Sequence, residues 1–310
     1  MAAVRVALDA LPRQRLHRPG RARATGGGAI VTDPTPPAPR LGRADLHLHT
    51  LASDGTASAE EMLLRAARLG LDVVAVTDHD DLRGALRAQE AAARLDSPVQ
   101  VVAGVELTTR GGHLLALFPG DLGAGRPTPD VSPLRSLAWT IAAIHAQGGV
   151  AIVPHPMSWI PPGAKARAID RLMAGAAESR PDGIELANPT PPAGRRSAAA
   201  RRWNRGWGLA ETGSSDAHFP EVMGAALTRF PGRTVDDLMR ALTIGATVAE
   251  WGPSPSWRQI GARRLLAQQG RSGLATPLAL ARRALGAQGD SGRDARGAGA
   301  GRRLRTPDAR

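Results

Sequence analysis

From Arg43 to about residue 250, short wholly apolar runs alternate with stretches whose apolar residues recur every three or four positions. Such runs read as strands covered on both faces, and the periodic stretches as amphipathic helices. Strands are predicted at Ala44 to His47, Val73 to Val76, Val99 to Ala103, Leu114 to Phe118, Val150 to Val153, Gly183 to Leu186, Gly208 to Glu211 and Ala225 to Thr228. Ser58 with Glu61 forms a capping box for a helix reaching Leu69, and Gly70 stops it. Asp80 or Asp81 caps a helix ending at Leu95, and Pro133 fits the first turn of one ending near Gln147. Alternating strands and helices predict an α/β fold with a largely parallel sheet. Gly120 to Pro133 reads as a loop. After Trp251 the pattern changes: Pro253-Ser-Pro255 is a linker, with helical stretches at Ile260 to Ala267 and Leu274 to Leu285. The expected division is a tail over 1–40, one folded domain over 41–252, a linker with helices over 253–287 and a disordered basic tail over 288–310.

Composition changes this picture mainly through where the charge lies. The net charge of +12 is concentrated at the ends: residues 1–40 hold 7 Arg against 2 Asp, and residues 255–310 hold 12 Arg against 3 Asp. Residues 41–254 carry 21 basic and 23 acidic side chains, so the folded part is slightly acidic. Arg-, Gly- and Pro-rich tails are usually solvated, which ranks nucleic acid below a small molecule as partner. With no cysteine, any metal must be held by nitrogen and oxygen. No apolar run reaches the length of a membrane span, and the first 30 residues lack a secretory apolar segment. A cytoplasmic enzyme with no required protein partner is the expectation.

Six of the eight histidines fall in short clusters with carboxylates. These are Asp45-Leu-His47-Leu-His49, Thr77-Asp78-His79-Asp80, Glu106 followed by His113, His155-Pro156, and Asp216-Ala-His218. Residues two apart on a strand share a face, so His47 and His49 form a ready chelate. Most clusters stand just after predicted strands, the end where loops from many β/α units converge on one site. Neutral imidazoles and ionised carboxylates supply the lone pairs a cation needs, and the six histidines with Asp54, Glu106 and Asp216 make nine such groups, more than one ion can use. Two or three divalent ions are expected, Mn, Zn or Fe, in a cavity left positive enough to favour a phosphate dianion. Ions sharing a water would lower its pKa from about 15.7 towards 7 and so supply a nucleophile.

Five motifs together resemble the polymerase and histidinol phosphatase (PHP) domain of metal-dependent phosphoesterases. They are Asp45-Leu-His-Leu-His-Thr50 with Ser53-Asp54-Gly55-Thr56, Val76-Thr-Asp-His-Asp80, Gly104-Val-Glu106, His155-Pro156 and Ser215-Asp-Ala-His218, spanning roughly Ala44 to Trp251. The resemblance implies a distorted (β/α)7 TIM-like barrel. It implies His47, His49 and Asp216 on a first ion, Asp54 and His79 on a second, and Glu106 bridging the two. His113, His155 and His218 would hold a third ion, and Glu106, Asp54 and Asp216 would surround a bridging hydroxide. The nearest look is to compact members and the nucleoside 3′,5′-bisphosphate phosphatase branch. Only about fifty residues separate Glu106 from His155 here, and Met157-Ser158-Trp159 follows; both features depart from that branch.

The function expected is hydrolysis of small phosphomonoesters, with a nucleotide favoured. Trimming of 5′ ends of short RNA or DNA is the second reading, and a non-catalytic, metal-stapled module the third. Arg110 and Asn188 are candidate substrate contacts, and Asp45 and Asp78 candidate partners that orient the ligand imidazoles. The arginines around Trp203 and Trp207 read as a wet helix face, and His145 and His17 are assigned no role in the site.

Overall fold

The computed structural model describes residues 41–122, 129–130, 132–159, 162–255 and 257–297. The expected tail over 1–40 and the end of the basic tail, 298–310, lie outside the described residues. Nine strands form one sheet: β1 (Leu41–Leu48), β2 (Val73–Val76), β3 (Gln100–Thr109), β4 (Gly112–Phe118), β5 (Val150–Val153), β6 (Gly183–Ala187), β7 (Ala210–Gly213), β8 (Ala226–Pro231) and β9 (Val248–Trp251). The helices are α1 (Ala59–Arg68), α2 (Arg83–Arg94), α3 (Leu137–Ala146), α4 (Ala166–Ala174), α5 (Pro191–Trp207), α6 (Val235–Thr243), α7 (Trp257–Ile260) and α8 (Ala262–Gly297).

The sheet order is β7-β6-β5-β4-β3-β2-β1-β8-β9. Its two ends approach each other, with the Gly213 amide donating to Thr228 Oγ1 at 3.1 Å and that hydroxyl donating to Gly213 O at 2.9 Å. The result is a nearly closed α/β barrel, as the sequence predicts. The expectation of a largely parallel sheet needs correction. β1 with β2, β2 with β3, β5 with β6 and β6 with β7 are parallel, whereas β3 with β4, β4 with β5, β1 with β8 and β8 with β9 are antiparallel. The hairpin joining β3 to β4 is too tight for a helical crossover, and β9 is a short strand, half of it exposed, whose sequence carries no clear apolar run.

Strand parity explains the layering. Leu46, Val73, Ala75, Leu115, Leu117 and Ile152 point inward and meet Phe230, with Leu238 and Leu242 of α6 packed against them. Residues of opposite parity pack outward, Val74 and Val76 against Met62 and Leu63 of α1, and Ala151 and Val153 with Ile141 and Ile144 of α3. β1 breaks its own parity: Leu46 belongs to the interior layer, Leu48 to the layer under α1. A register shift between Asp45 and Leu48 is the cause, and such bulges re-aim side chains beside active sites.

Helix ends follow their predicted chemistry with small shifts. Ser58 and Glu61 make the reciprocal capping box at α1. Leu82, not an aspartate, is the cap residue of α2, while Asp81 one position earlier accepts the Arg83 amide at 2.9 Å. α3 starts at Ser136, whose hydroxyl accepts the Trp139 amide, rather than at Pro133. The two helical stretches predicted after Ile260 are one continuous helix, α8, that runs past Gln288.

Candidate metal centre

Each ligand-type side chain reaches the centre through its place on a strand end. His47 is on β1 and His49 just beyond it, their ring centroids 5.1 Å apart. His79 follows β2. Glu106 lies within β3, between Val105 and Leu107, which pack outward, so its carboxylate points into the barrel. β4 runs back antiparallel, and Thr108 pairs with His113, so the first residues of β4 stand at the same end as the last of β3. That reversal needs Gly112: its φ is +125°, and a Cβ there would come within 2.6 Å of the Ala164 amide. His155 follows β5, Glu185 lies in the middle of β6, and Asp216 with His218 follows β7. His155 and Asp216 adopt positive φ, 29° and 51°, a backbone strain that clusters at functional sites.

All nine candidate ligands meet. Glu106 is the hub. Its Oε2 lies 3.2 Å from His47 Nε2, 3.3 Å from His49 Nε2 and 3.3 Å from His79 Nδ1. Its Oε1 lies 2.8 Å from His113 Nδ1 and 2.9 Å from His155 Nε2. Asp216 Oδ1 sits 3.5 Å from His47 Nε2 and 3.3 Å from His49 Nε2. Asp54 Oδ2 sits 3.7 Å from His79 Nε2 and 3.0 Å from His218 Nε2. The three histidines that the resemblance assigns to a third ion fall into three different groups, His113 with His79 and Glu106, His155 with His47 and Glu106, and His218 with Asp54, His79 and His49. His113 and His155 share an oxygen of Glu106, whereas His218 stands with Asp54 and His79 instead of with those two histidines.

The donor set fits cations on the structure's own terms. His47 Nε2, both nitrogens of His49, His79 Nδ1 and His155 Nδ1 are buried without a hydrogen-bond partner. Four of the five face carboxylate oxygens at 3.2–3.5 Å without hydrogen-bond geometry, an arrangement that a cation accepting lone pairs from both sides would complete. Four sets of His, Asp and Glu atoms lie within 4.8 Å of one another, in combinations drawn from all nine residues.

The electrostatics are those of tightly opposed charges. Burial would raise the Glu106, Asp54 and Asp216 carboxyls, but the surrounding imidazoles hold all three well below the usual range. Burial would likewise lower His47, His113 and His218, yet the facing carboxylates push them up, His218 to about 9. His79 goes the other way, to about 4, because burial dominates and His49 and His113 stand close.

Asp45 and Asp78 accept backbone amides and, for Asp78, loop hydroxyls rather than imidazoles, which corrects the expectation for both. Asp45 accepts the amides of Ser215 at 2.9 Å and Gly224 at 3.0 Å and so fixes the loop bearing Asp216. Asp78 accepts the Thr50 amide at 2.7 Å, the Thr50 hydroxyl at 2.7 Å and the Ser53 hydroxyl at 2.5 Å, fixing the loop bearing Asp54. Burial pushes both carboxyls up, Asp45 to about 6.

The residue that does orient an imidazole is Glu185. Its Oε1 lies 3.2 Å from His47 Nδ1, and its Oε2 accepts the His155 amide and Asn188 Nδ2, each at 2.7 Å. Asn188 also donates to Asp216 Oδ2 at 3.4 Å, so it braces carboxylates and is buried behind them. Arg110 is turned away: its Nε donates to Leu134 O at 2.8 Å, and it does not line the cavity over the centre. That cavity holds about 650 Å³ and exposes Asp54, His79, Glu106, His113, Asp216 and His218. Sequence reasoning missed Gln268 and Ser272 of α8, which bond Asp54 and line the same cavity. They lie more than 200 positions from Asp54, with no motif to mark them.

Residues 45–129 match the family model described as PHP domain, and residues 194–247 the one described as PHP-associated. An error-prone DNA polymerase of Mycobacterium tuberculosis is 43% identical over 119 residues, covering 34% of this chain. The chain spans only 10% of that polymerase's length. An uncharacterised protein of Methanocaldococcus jannaschii is 33% identical over 127 residues, 37% of this chain and 68% of that protein. A 5′-3′ exoribonuclease of Haemophilus influenzae is 24% identical over 252 residues, 57% of this chain and 90% of that enzyme. Among solved structures, a two-domain Bacteroides vulgatus protein described as containing a PHP-like metal-dependent phosphoesterase superposes with a TM-score of 0.54. It has 20% identity, over 81% of this chain and 75% of that one.

Proposed function

The chain belongs to the PHP-domain family, and from that premise we propose that it is a metal-dependent phosphoesterase acting on small phosphomonoesters. The observation that carries this reading is the convergence of nine nitrogen and oxygen donors, five buried ring nitrogens among them unpaired, beneath one cavity of about 650 Å³. Divalent ions held there would polarise the phosphoryl group, activate a water and offset charge on the leaving oxygen.

Four overlapping groups account for the ligands: His47, His49 and Asp216; His49, Asp54, His79 and His218; His47, Glu106 and His155; and His79, Glu106 and His113. Glu106 thus belongs to two groups. Glu185 keeps His47 in the ring orientation that presents Nε2 to the centre, and Asn188 holds Glu185 in place. Asp45 and Asp78 keep the loops of Asp216 and Asp54 at chelating distance. Every proposed ligand lies between His47 and His218.

Purified full-length protein supplemented with Mn²⁺ should hydrolyse p-nitrophenyl phosphate. A folded protein inactive with every divalent metal would reject the reading.

A further inference from the structure

α8 lies outside the barrel, yet one of its faces reaches the centre. Leu265, Gln268 and Ser272 recur at intervals of three and four, as one helix face requires, and all three line the cavity. Gln268 Nε2 donates to Asp54 Oδ2 at 3.3 Å and Ser272 Oγ donates to the same oxygen at 2.5 Å.

Three arginines of α8 hold the helix along one side of the mouth. Arg264 grips Glu221, after β7, at 2.7 and 3.2 Å and lies 5.1 Å over the Phe219 ring. Arg271 donates to Gly55 O at 2.9 Å, and Arg282 reaches Ala52 O at 3.4 Å and Asp81 at 3.5 Å. Ala52 and Gly55 follow β1, and Asp81 follows β2. Across the cavity stand Pro189, Thr190 and Pro191 at the start of α5.

The lining has a second property. Apart from the ligand set it is mostly apolar, with Pro162, Phe219, Val222 and Ile260 beside Leu265, and no described residue lining it is Arg or Lys. A nucleic-acid backbone or a second phosphate group brings charges that binding sites meet with such cations. A volume of about 650 Å³ is in the range of small-ligand sites, about 300–1,000 Å³.

We propose, resting on the phosphoesterase reading, that α8 is the specificity wall of the site. It restricts the centre to monoesters with an uncharged, partly apolar leaving group small enough for the cavity, and excludes bisphosphates and polynucleotides. The reacting phosphate is met by the metal centre, and any further phosphate would be buried against proline, phenylalanine and leucine without a counter-charge.

The test uses full-length protein with Mn²⁺ and matched substrates. A nucleoside 5′-monophosphate and its 3′,5′-bisphosphate share one ester and differ by one phosphate; kcat/KM for cleavage of that shared 5′ ester should fall by about tenfold or more for the bisphosphate. A short 5′-phosphorylated oligonucleotide should be poorer still. Gly273 lines the cavity from α8, and a Cβ there meets nothing within 4 Å, so Gly273→Trp grows into open space. It should depress kcat/KM for 1-naphthyl phosphate about tenfold more than for phenyl phosphate. Equal or better turnover of the bisphosphate or the oligonucleotide overturns the proposal without touching the phosphoesterase reading. So does an equal effect of Gly273→Trp on both aryl esters. Should that variant fail to fold, the wild-type substrate ratio still decides. Lack of turnover on every ester would remove the parent reading and this one with it.

Discussion

His145 and His155 stand at opposite ends of the same strand, and their surroundings differ in kind. His145, in the last turn of α3, has both ring nitrogens satisfied: Nδ1 donates to Glu178 O and Nε2 to Asp182 Oδ2, each at 2.8 Å. Asp182 Oδ2 also accepts the amide of Ala151 at 2.7 Å, so the pair ties α3 to the start of β5. His155, past the end of β5, is fully buried, shares a carboxylate oxygen with His113 and leaves Nδ1 without a partner. A pair with every hydrogen bond made is finished as structure; a cluster with five unpaired buried nitrogens is finished only when something binds. The difference teaches that residue type says little about role, and that strand end and hydrogen-bond closure say more.

The largest expected effect tests that contrast directly. Glu106→Gln or Asp54→Ala should lower kcat/KM on p-nitrophenyl phosphate by about 10³-fold, some 4 kcal/mol of lost transition-state stabilisation. Asp182→Asn, which disturbs the other end of the barrel, should stay within about twofold of wild type. Circular dichroism on each variant separates lost chemistry from lost fold, and a matching loss in Asp182→Asn would erase the distinction between the two ends.

Thermal unfolding sharpens the comparison next. Metal at 100 times its Kd should stabilise wild type by about 2.7 kcal/mol, a gain that Asp182→Asn keeps and Glu106→Gln largely loses. Calorimetry with and without Mn²⁺ reads this difference, and metal analysis of the same samples shows whether binding went with it.

Much of the centre was legible because its ligands come in tight local clusters at strand ends, where a period of two and the β/α alternation fix both face and position. What escaped reading depends on distant backbone. Asp45 and Asp78 look like partners of neighbouring imidazoles in sequence, yet the nearest donors in space are amides and hydroxyls of other loops. Arg110 sits between two ligands in the chain, but the β3–β4 hairpin turns it outward. The grouping of His218 with Asp54 follows from loops that meet only when β7 comes round to β1, as in the Thr56 amide donating to His218 O at 2.9 Å. No local pattern carries that closure, nor the reach of α8 to Asp54.

Glu185 offers a smaller effect at the boundary of the two kinds of histidine. Glu185→Gln keeps an acceptor for the His155 amide but weakens the hold on His47 Nδ1. Groups that orient a metal-bound imidazole are typically worth 10–100-fold, so activity and Mn²⁺ affinity should each fall in that range. Activity measured across a metal titration distinguishes the two losses. A variant with wild-type affinity and turnover would show that His47 needs no orienting partner.

The smallest effect concerns the closed pair alone. The hydrogen bond that His145 donates to Asp182 raises its pKa above the usual value, against a smaller opposing influence of burial, and the Glu178 carbonyl adds to the rise. Both acceptors need a ring N–H, so the doubly protonated ring is the form that satisfies them. A histidine whose folded pKa exceeds its unfolded one contributes stability that is full below the unfolded value, near 6.5, and is lost as pH climbs through the raised folded value. The melting temperature of wild type minus that of His145→Gln should therefore be largest below about pH 6.5 and should shrink as pH rises. Taking the difference removes the titration of the metal-site histidines, which both proteins share. If the gap instead widened with pH, the neutral ring would be the form held at this end of the barrel, and the contrast with His155 would rest on geometry alone.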